Sequence, residues 1–187
     1  MNLKGQFITF PQIKAWLATM PAEVFERAAI SALNKTVAQA RTAMSREIRA
    51  EFNLPASTVN AGLRIHRARV MQGFMSWEAV LESPSQRGRA MNLIHFAARQ
   101  TKAGVSVKIK RGGARKVIAQ AFIANKGRTV FQRTGKARLP IEPVQTVAVP
   151  QMFNAKRVNA KVMQFIKDKL PEVFEREAKY YMSKHRA

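Results

Sequence analysis

From residue 30 onward apolar side chains return at steps of three and four: Ile30, Leu33, Val37, Ala40, Met44 and Ile48. This spacing places them on one side of a helix and predicts a long amphipathic helix over residues 21–53. Pro21 suits its first position, where a backbone N–H would be unpaired anyway, and Glu23 sets negative charge at the positive end of the helix dipole. The opposite face carries Arg27, Asn34, Arg41, Arg46 and Arg49. Leu54 precedes Pro55 and is pushed away from helical backbone angles, which closes the helix near Phe52 and Asn53. A short second helix follows over residues 56–62, started by Pro55 or Ser57.

Beyond it the composition becomes β-like. Residues 70–81, 105–109, 116–124 and 129–133 read as strands, rich in β-branched and aromatic side chains. Arg111-Gly112-Gly113-Ala114 reads as a hairpin turn, since glycine supplies the positive φ that tight turns demand. A meander of antiparallel strands is the simplest arrangement. Three prolines in residues 138–152 make that segment an edge strand or an extended strap. The helical period then returns with Val158, Val162, Phe165, Ile166 and Leu170. Pro171 is expected to kink or restart this helix, with Val173, Phe174, Ala178 and Tyr181 on one side.

The fold class these elements predict is α+β: a long N-terminal helix and a C-terminal helix packed on a small, mainly antiparallel sheet, with a basic hairpin projecting. The expected organisation is a single domain over residues 1–187. It comprises an N-terminal arm or short helix (1–20), the long helix (21–53), a β-rich basic region (70–149) and C-terminal helices (150–187). Met20-Pro21-Ala22-Glu23-Val24-Phe25-Glu26-Arg27-Ala28 echoes Leu170-Pro171-Glu172-Val173-Phe174-Glu175-Arg176-Glu177-Ala178. One short echo falls far short of a repeat architecture, and both copies read as helix starts built by the same rules.

Charge sharpens this picture. The 187 residues include 33 Lys and Arg against 11 Asp and Glu, a net charge of +22, while 47% hydrophobic residues argue against wholesale disorder. Residues 62–139 hold 17 of the basic side chains and two acidic ones, Glu78 and Glu82. Uncompensated positive charge repels itself and weakens the compact state, so such a surface calls for a negative partner, either nucleic acid or an acidic protein surface. The core of the signal is ARQTKAGVSVKIKRGGARKVIAQAFIANKGRTVFQRTGKAR, residues 98–138, which has no acidic residue. Its candidate contact residues are Arg99, Lys102, Lys108, Lys110, Arg111, Arg115, Lys116, Arg128, Arg133 and Arg138, with Lys126 and Lys136 beside them. In VSVKIKR, strand alternation sets Lys108 and Lys110 in a row opposite Val105, Val107 and Ile109. The alternative for such a row is a solvated face. Phe122 and Phe131 are the only aromatics in this stretch and suit a core, so any DNA contact is expected at phosphates, not at bases.

Other chemistry finds little support. There is no cysteine, and His66, His95 and His185 lie far apart, so no metal or cofactor is expected. Glu23 and Glu26, like Glu172, Glu175 and Glu177, fall in the first turns of predicted helices, where acidic groups complement the dipole. Ser76, Ser83 and Ser85 lack a G-x-S-x-G setting, and the glycines at 112, 113 and 127 fit no phosphate-binding loop. His95, among apolar neighbours, reads as packing or interface. No enzyme signature emerges. The first twenty residues lack the continuous apolar stretch of a signal peptide, and no apolar run is long enough to span a membrane, so the expected site of synthesis is a reducing cytoplasm.

The ordered pieces EVFERAAISALNKTVAQARTAMSREIRAEFNLPASTVNAGLRIHRA, AARQTKAGVSVKIKRGGARKVIAQAFIAN and VFQRTGKARLPIEPVQTVAVPQMF resemble the prophage minor tail protein Z family of long-tailed phages. The most specific are Arg99-Gln100-Thr101-Lys102, residues 116–122 and Arg138-Leu139-Pro140-Ile141. The resemblance runs from about residue 21 into the C-terminal helix. It implies a structural virion protein without enzymatic activity, acting in tail completion and head-to-tail joining at the head-proximal tail end. It further implies a homo-oligomeric ring, a hexamer, beside tail terminator, tail tube or head-completion proteins, with non-specific contact to packaged DNA possible and no membrane partner. The alternative is a freestanding basic nucleic-acid-binding module.

Overall fold

The computed structural model describes residues 20–71, 74–76, 78–84 and 90–186. The expected N-terminal arm, apart from Met20, lies outside the described residues, as does Ser85. Among the described residues the order is α1 (Ala22–Glu51), α2 (Ala56–Ala61), β1 (Arg64–His66), β2 (Arg69–Met71), β3 (Phe74–Ser76), β4 (Val80–Glu82) and β5 (Met91–Asn92). A 3-10 turn (Leu93–His95) leads to β6 (Arg99–Thr101), β7 (Gly104–Val107), β8 (Lys116–Ile118), β9 (Ala121–Ala124) and β10 (Thr129–Arg133). The chain ends with β11 (Ile141–Pro143), β12 (Gln145–Thr146), α3 (Val149–Phe153) and α4 (Lys156–Arg186). The fold is α+β, with a long N-terminal helix, a C-terminal helix and small antiparallel sheets, as the sequence indicates. The described residues divide into two compact units, one drawn from residues 20–44, 63–82 and 159–186, the other from residues 45–62 and 83–158.

The first unit is mainly helical. α1 starts directly after Pro21, and its buried face comprises Val24, Phe25, Ala28, Ala29, Ala32, Val37, Ala40 and Met44. The stripe is displaced from the one the apolar spacing draws, because Ile30 and Leu33 stay half-exposed while Ala28 and Ala32 are wholly buried. The cause is tertiary: Phe25, Ala28, Ala29 and Ala32 form one cluster with Val173, Phe174 and Ala178 of α4, and small side chains permit that close approach. The Phe25 and Phe174 rings lie 5.4 Å apart at 56°, a favourable tilted geometry. Tyr181 and Leu170 pack against the same cluster from its margin.

Helix α4 passes through Pro171 without restarting. Proline has no N–H for the carbonyl one turn earlier, and burial of Val173, Phe174 and Ala178 offsets that loss. The second copy of the echoed segment is therefore no helix start but the middle of a helix. Both copies send side chains into one cluster, where the equivalent phenylalanines meet.

In the same unit β1 pairs with β4, and β2 with β3, both antiparallel. The single strand expected over 70–81 is broken into short pieces, and residues 72, 73 and 77 of it lie outside the described residues. Asn34, placed by the periodicity on the outer face of α1, clamps the chain before β2: its amide donates to the Ala68 carbonyl at 3.1 Å and accepts from the Ala68 N–H at 2.9 Å.

The second unit holds two three-stranded antiparallel sheets, ordered β6-β7-β8 and β11-β10-β9, and the small pair β5-β12. Val105, Val107 and Val130 are buried, with Phe96, Met152 and Phe153. Asn92 joins two elements, its side chain accepting from Val130 N–H at 2.9 Å and Ile94 N–H at 3.0 Å. Gly104 opens β7 at φ +135°, and a Cβ there would lie 2.0 Å from the Ile118 carbonyl oxygen, so only glycine fits.

The expected strand 105–109 stops at Val107 because the chain beyond it docks on the end of α1. Lys108 N–H donates to the Phe96 carbonyl, Asn53 N–H donates to the Ile109 carbonyl at 2.8 Å, and Arg111 N–H donates to the Glu51 carbonyl at 2.9 Å. That last bond satisfies one of the carbonyls a helix end leaves without an intrahelical partner. The expected strand 116–124 is likewise two strands, divided at Ala119 and Gln120, where Gln120 takes a positive φ of 60°. β11 is the outer strand of its sheet, which agrees with an edge role for the proline-rich segment, and Pro150 sits in the first turn of α3.

Candidate partner-binding surface

All ten candidate cations belong to the second unit. Arg99 lies on β6, Lys102 in the turn to β7, and Lys108, Lys110, Arg111 and Arg115 in the connection from β7 to β8. Lys116 lies on β8, Arg128 in the tight turn before β10, Arg133 at the end of β10 and Arg138 in the loop from β10 to β11. Each is exposed except Lys108, which is half-buried. Lys108 and Lys110 form no row along a strand, because the strand ends before them.

The ion pairs are unevenly placed, and the second unit holds Arg46–Glu47 at 3.8 Å, next to the end of α1. In the first unit Arg27 bonds Glu23 at 2.6 Å, Lys35 bonds Glu177 at 2.5 Å, Lys169 bonds Glu172 at 2.7 Å and Lys179 bonds Glu175 at 2.7 Å. His66 Nε2 meets Glu82 at 2.8 Å. Among the described residues from 90 to 158, no Lys or Arg lies within ion-pair distance of a carboxylate. The only acidic residue in that stretch is Glu142. The carboxylates of the helical unit thus serve its own cations, whereas the cations of residues 90–158 have no carboxylate to serve them.

Two of the candidates have internal work. Arg115 folds back on β7, where its guanidinium donates to Ser106 Oγ at 3.0 Å, to the Ala97 carbonyl at 2.6 Å and to the Ser106 carbonyl at 3.3 Å. This explains why Ser106, a polar residue, is buried in β7. Arg133 lies over the Phe122 ring, 4.9 Å from its centre. Phe122 and Phe131 are register partners across β9 and β10, with rings 6.1 Å apart, and are half-buried on the sheet rather than enclosed in the core.

Sequence reasoning missed Leu139, 67% exposed, and Val117, 55% exposed. An apolar side chain beside a cation and a proline, as in Arg138-Leu139-Pro140, was the available signal for the first. Of the carboxylates considered for catalysis, Glu23, Glu172 and Glu175 lie in surface ion pairs and Glu177 is buried in a pair with Lys35, and among the described residues no cluster of three His, Asp or Glu could hold a metal. The Glu172 carboxyl is held below its ordinary range by the hydrogen bond and charge of Lys169.

The family model for prophage minor tail protein Z (GPZ) matches residues 13–185, and the chain belongs to that family. No curated protein and no solved structure gives a significant match. Among the described residues no helix is long and apolar enough to cross a membrane.

Proposed function

We propose, from membership of the prophage minor tail protein Z family, that this structural tail protein completes the tail and joins it to the head. In this reading the chain is a homo-oligomeric ring subunit, a hexamer, at the head-proximal end of the virion tail, made in the host cytoplasm. Its neighbours are the tail terminator, tail tube or head-completion proteins, and it performs no catalysis. The observation that carries the reading is the segregation of charge: a β-rich stretch, residues 90–158, whose described Lys and Arg residues have no carboxylate within ion-pair distance, in one chain with a helical unit that neutralises much of its own charge. A ring around the DNA path, or one docked between negatively charged neighbours, uses such a surface, and DNA contact would be non-specific and made to phosphates.

Sedimentation of the purified chain, alone and with its tail neighbours, tests the ring. A higher-order species is expected, and a chain that stays monomeric in every mixture removes the ring role. Cryo-electron microscopy of virions tests the location, since density for this chain at the distal tail tip contradicts it. The same unpaired cations also fit a freestanding nucleic-acid-binding module. Such a module holds duplex DNA near physiological salt with a steep salt dependence in the absence of any tail protein.

A further inference from the structure

The sheet β11-β10-β9 has two unlike faces. Ala121 and Val130 turn inward and are buried, while their strand neighbours Phe122 and Phe131 turn the other way and remain half-exposed, paired across the ladder and adjoined by Pro143 of β11. Arg133, two residues beyond Phe131, shares that outward face and covers part of Phe122. At the adjoining end the β10–β11 loop is closed by Thr134, whose N–H and hydroxyl both donate to the Pro140 carbonyl. Every residue from 133 to 140 is exposed, and Leu139 stands 67% open beside Arg138, with Lys136 in the same loop.

An apolar centre with a polar, charged rim is the anatomy of a protein interface, and arginine with aromatic groups supplies most of the binding energy at such sites. A phosphate backbone has no use for the exposed leucine or the phenylalanine pair. A second copy of this chain is a poor occupant too. It carries +22, and its Glu23, Glu82, Glu172, Glu175 and Glu177 are already engaged by its own basic groups. We propose that the outward face of β9, β10 and β11, with the β10–β11 loop, docks an acidic protein. Leu139 is its apolar anchor, and Arg133, Lys136 and Arg138 form its cationic rim. This inference rests on the virion reading above and names which surface serves it and what chemistry it meets.

The test uses tails purified from the phage that encodes this chain, assembled without this gene, and a duplex oligonucleotide as a polyanion control. The full-length wild-type chain is expected to co-sediment with these tails. Leu139→Ser should bind them about tenfold more weakly, Leu139→Met should restore binding, and all three should bind the duplex alike. Because Leu139 is exposed, the serine variant is expected to melt with the wild type, and Arg138→Glu provides a second, equally exposed variant with the same expected loss. If Leu139→Ser and Arg138→Glu bind tails as the wild type does, the surface assignment is wrong while the virion reading stands. If the serine variant loses tails and duplex in equal proportion, the ligand is a polyanion and the acidic-protein assignment is overturned. If the wild type ignores the tails, the virion reading fails and this proposal fails with it.

Discussion

Glu177 is 4% exposed yet sits among hydrogen-bond donors. Burial alone pushes its carboxyl up, but the bonds from Lys35 at 2.5 Å and Ser31 at 2.8 Å, the Lys35 charge and Arg176 together outweigh burial and hold it below its ordinary value. A carboxyl held low in the folded state contributes stability in full above its unfolded pKa, near 4.5, and loses it as pH falls through the folded value. Glu177→Gln should therefore cost about 1–3 kcal/mol at neutral pH. Urea unfolding at pH 7 and in increasing acid checks it: the gap between the two proteins should narrow below about pH 4.5, and a gap that widens there contradicts the assignment. Arg115 makes the parallel case among the candidate cations. Since its guanidinium is spent on Ala97 and Ser106, Arg115→Ala should lower stability by about 1–2 kcal/mol. Its effect on polyanion affinity should be smaller than that of Arg128→Ala, which should leave stability unchanged. Denaturant midpoints and heparin affinity measured on both variants decide this, and the reverse ranking sinks it.

At the scale of elements, Pro171 in the interior of α4 is a local cost that the cluster around Phe25 and Phe174 sustains. Pro171→Ala gives the Lys167 carbonyl an N–H to accept from, and a proline inside a helix costs about 3 kcal/mol relative to alanine. The loss of proline's restraint on the unfolded chain returns about 0.4–1 kcal/mol of that. The net expectation is a gain of about 2 kcal/mol, read from thermal or urea unfolding, and a variant less stable than the wild type contradicts it. α1, α2 and α4 were legible because a period of 3.6, punctuated by Pro21 and Pro55, is a local signal. Which residues α1 buries was not, since Ala28 and Ala32 win over Ile30 and Leu33 only when α4 arrives, from far along the chain. Strand ends failed for the same reason: β7 stops where residues 109–111 bond to the chain at the end of α1, and Gln120 turns the chain with no glycine to mark the place. For the candidate surface, the sequence revealed its cationic chemistry, but the diversion of Arg115 and the openness of Leu139 depend on loop geometry.

For the whole molecule the unequal treatment of charge has a thermodynamic consequence. A net charge of +22, with no carboxylate near the cations of residues 90–158, means self-repulsion among exposed cations, which solvent weakens but low salt does not remove. Raising NaCl from about 0.1 M to about 1 M shortens the screening length from roughly 10 Å to roughly 3 Å, so the melting temperature should rise over that range. Salt also strengthens apolar burial in general, and a charge-reduced variant separates the two effects. With Lys126, Arg128, Lys136 and Arg138, all exposed, changed to Gln, the low-salt melting temperature should rise and the response to NaCl should shrink. A negative partner acts on the free chain as salt does, by neutralising the same cations, so the gain in stability on binding should be largest at low salt. If the charge-reduced variant melts lower than the wild type at 0.1 M, or follows NaCl with the same slope, repulsion among these cations is not what limits the free chain, and its stability must be sought in packing instead.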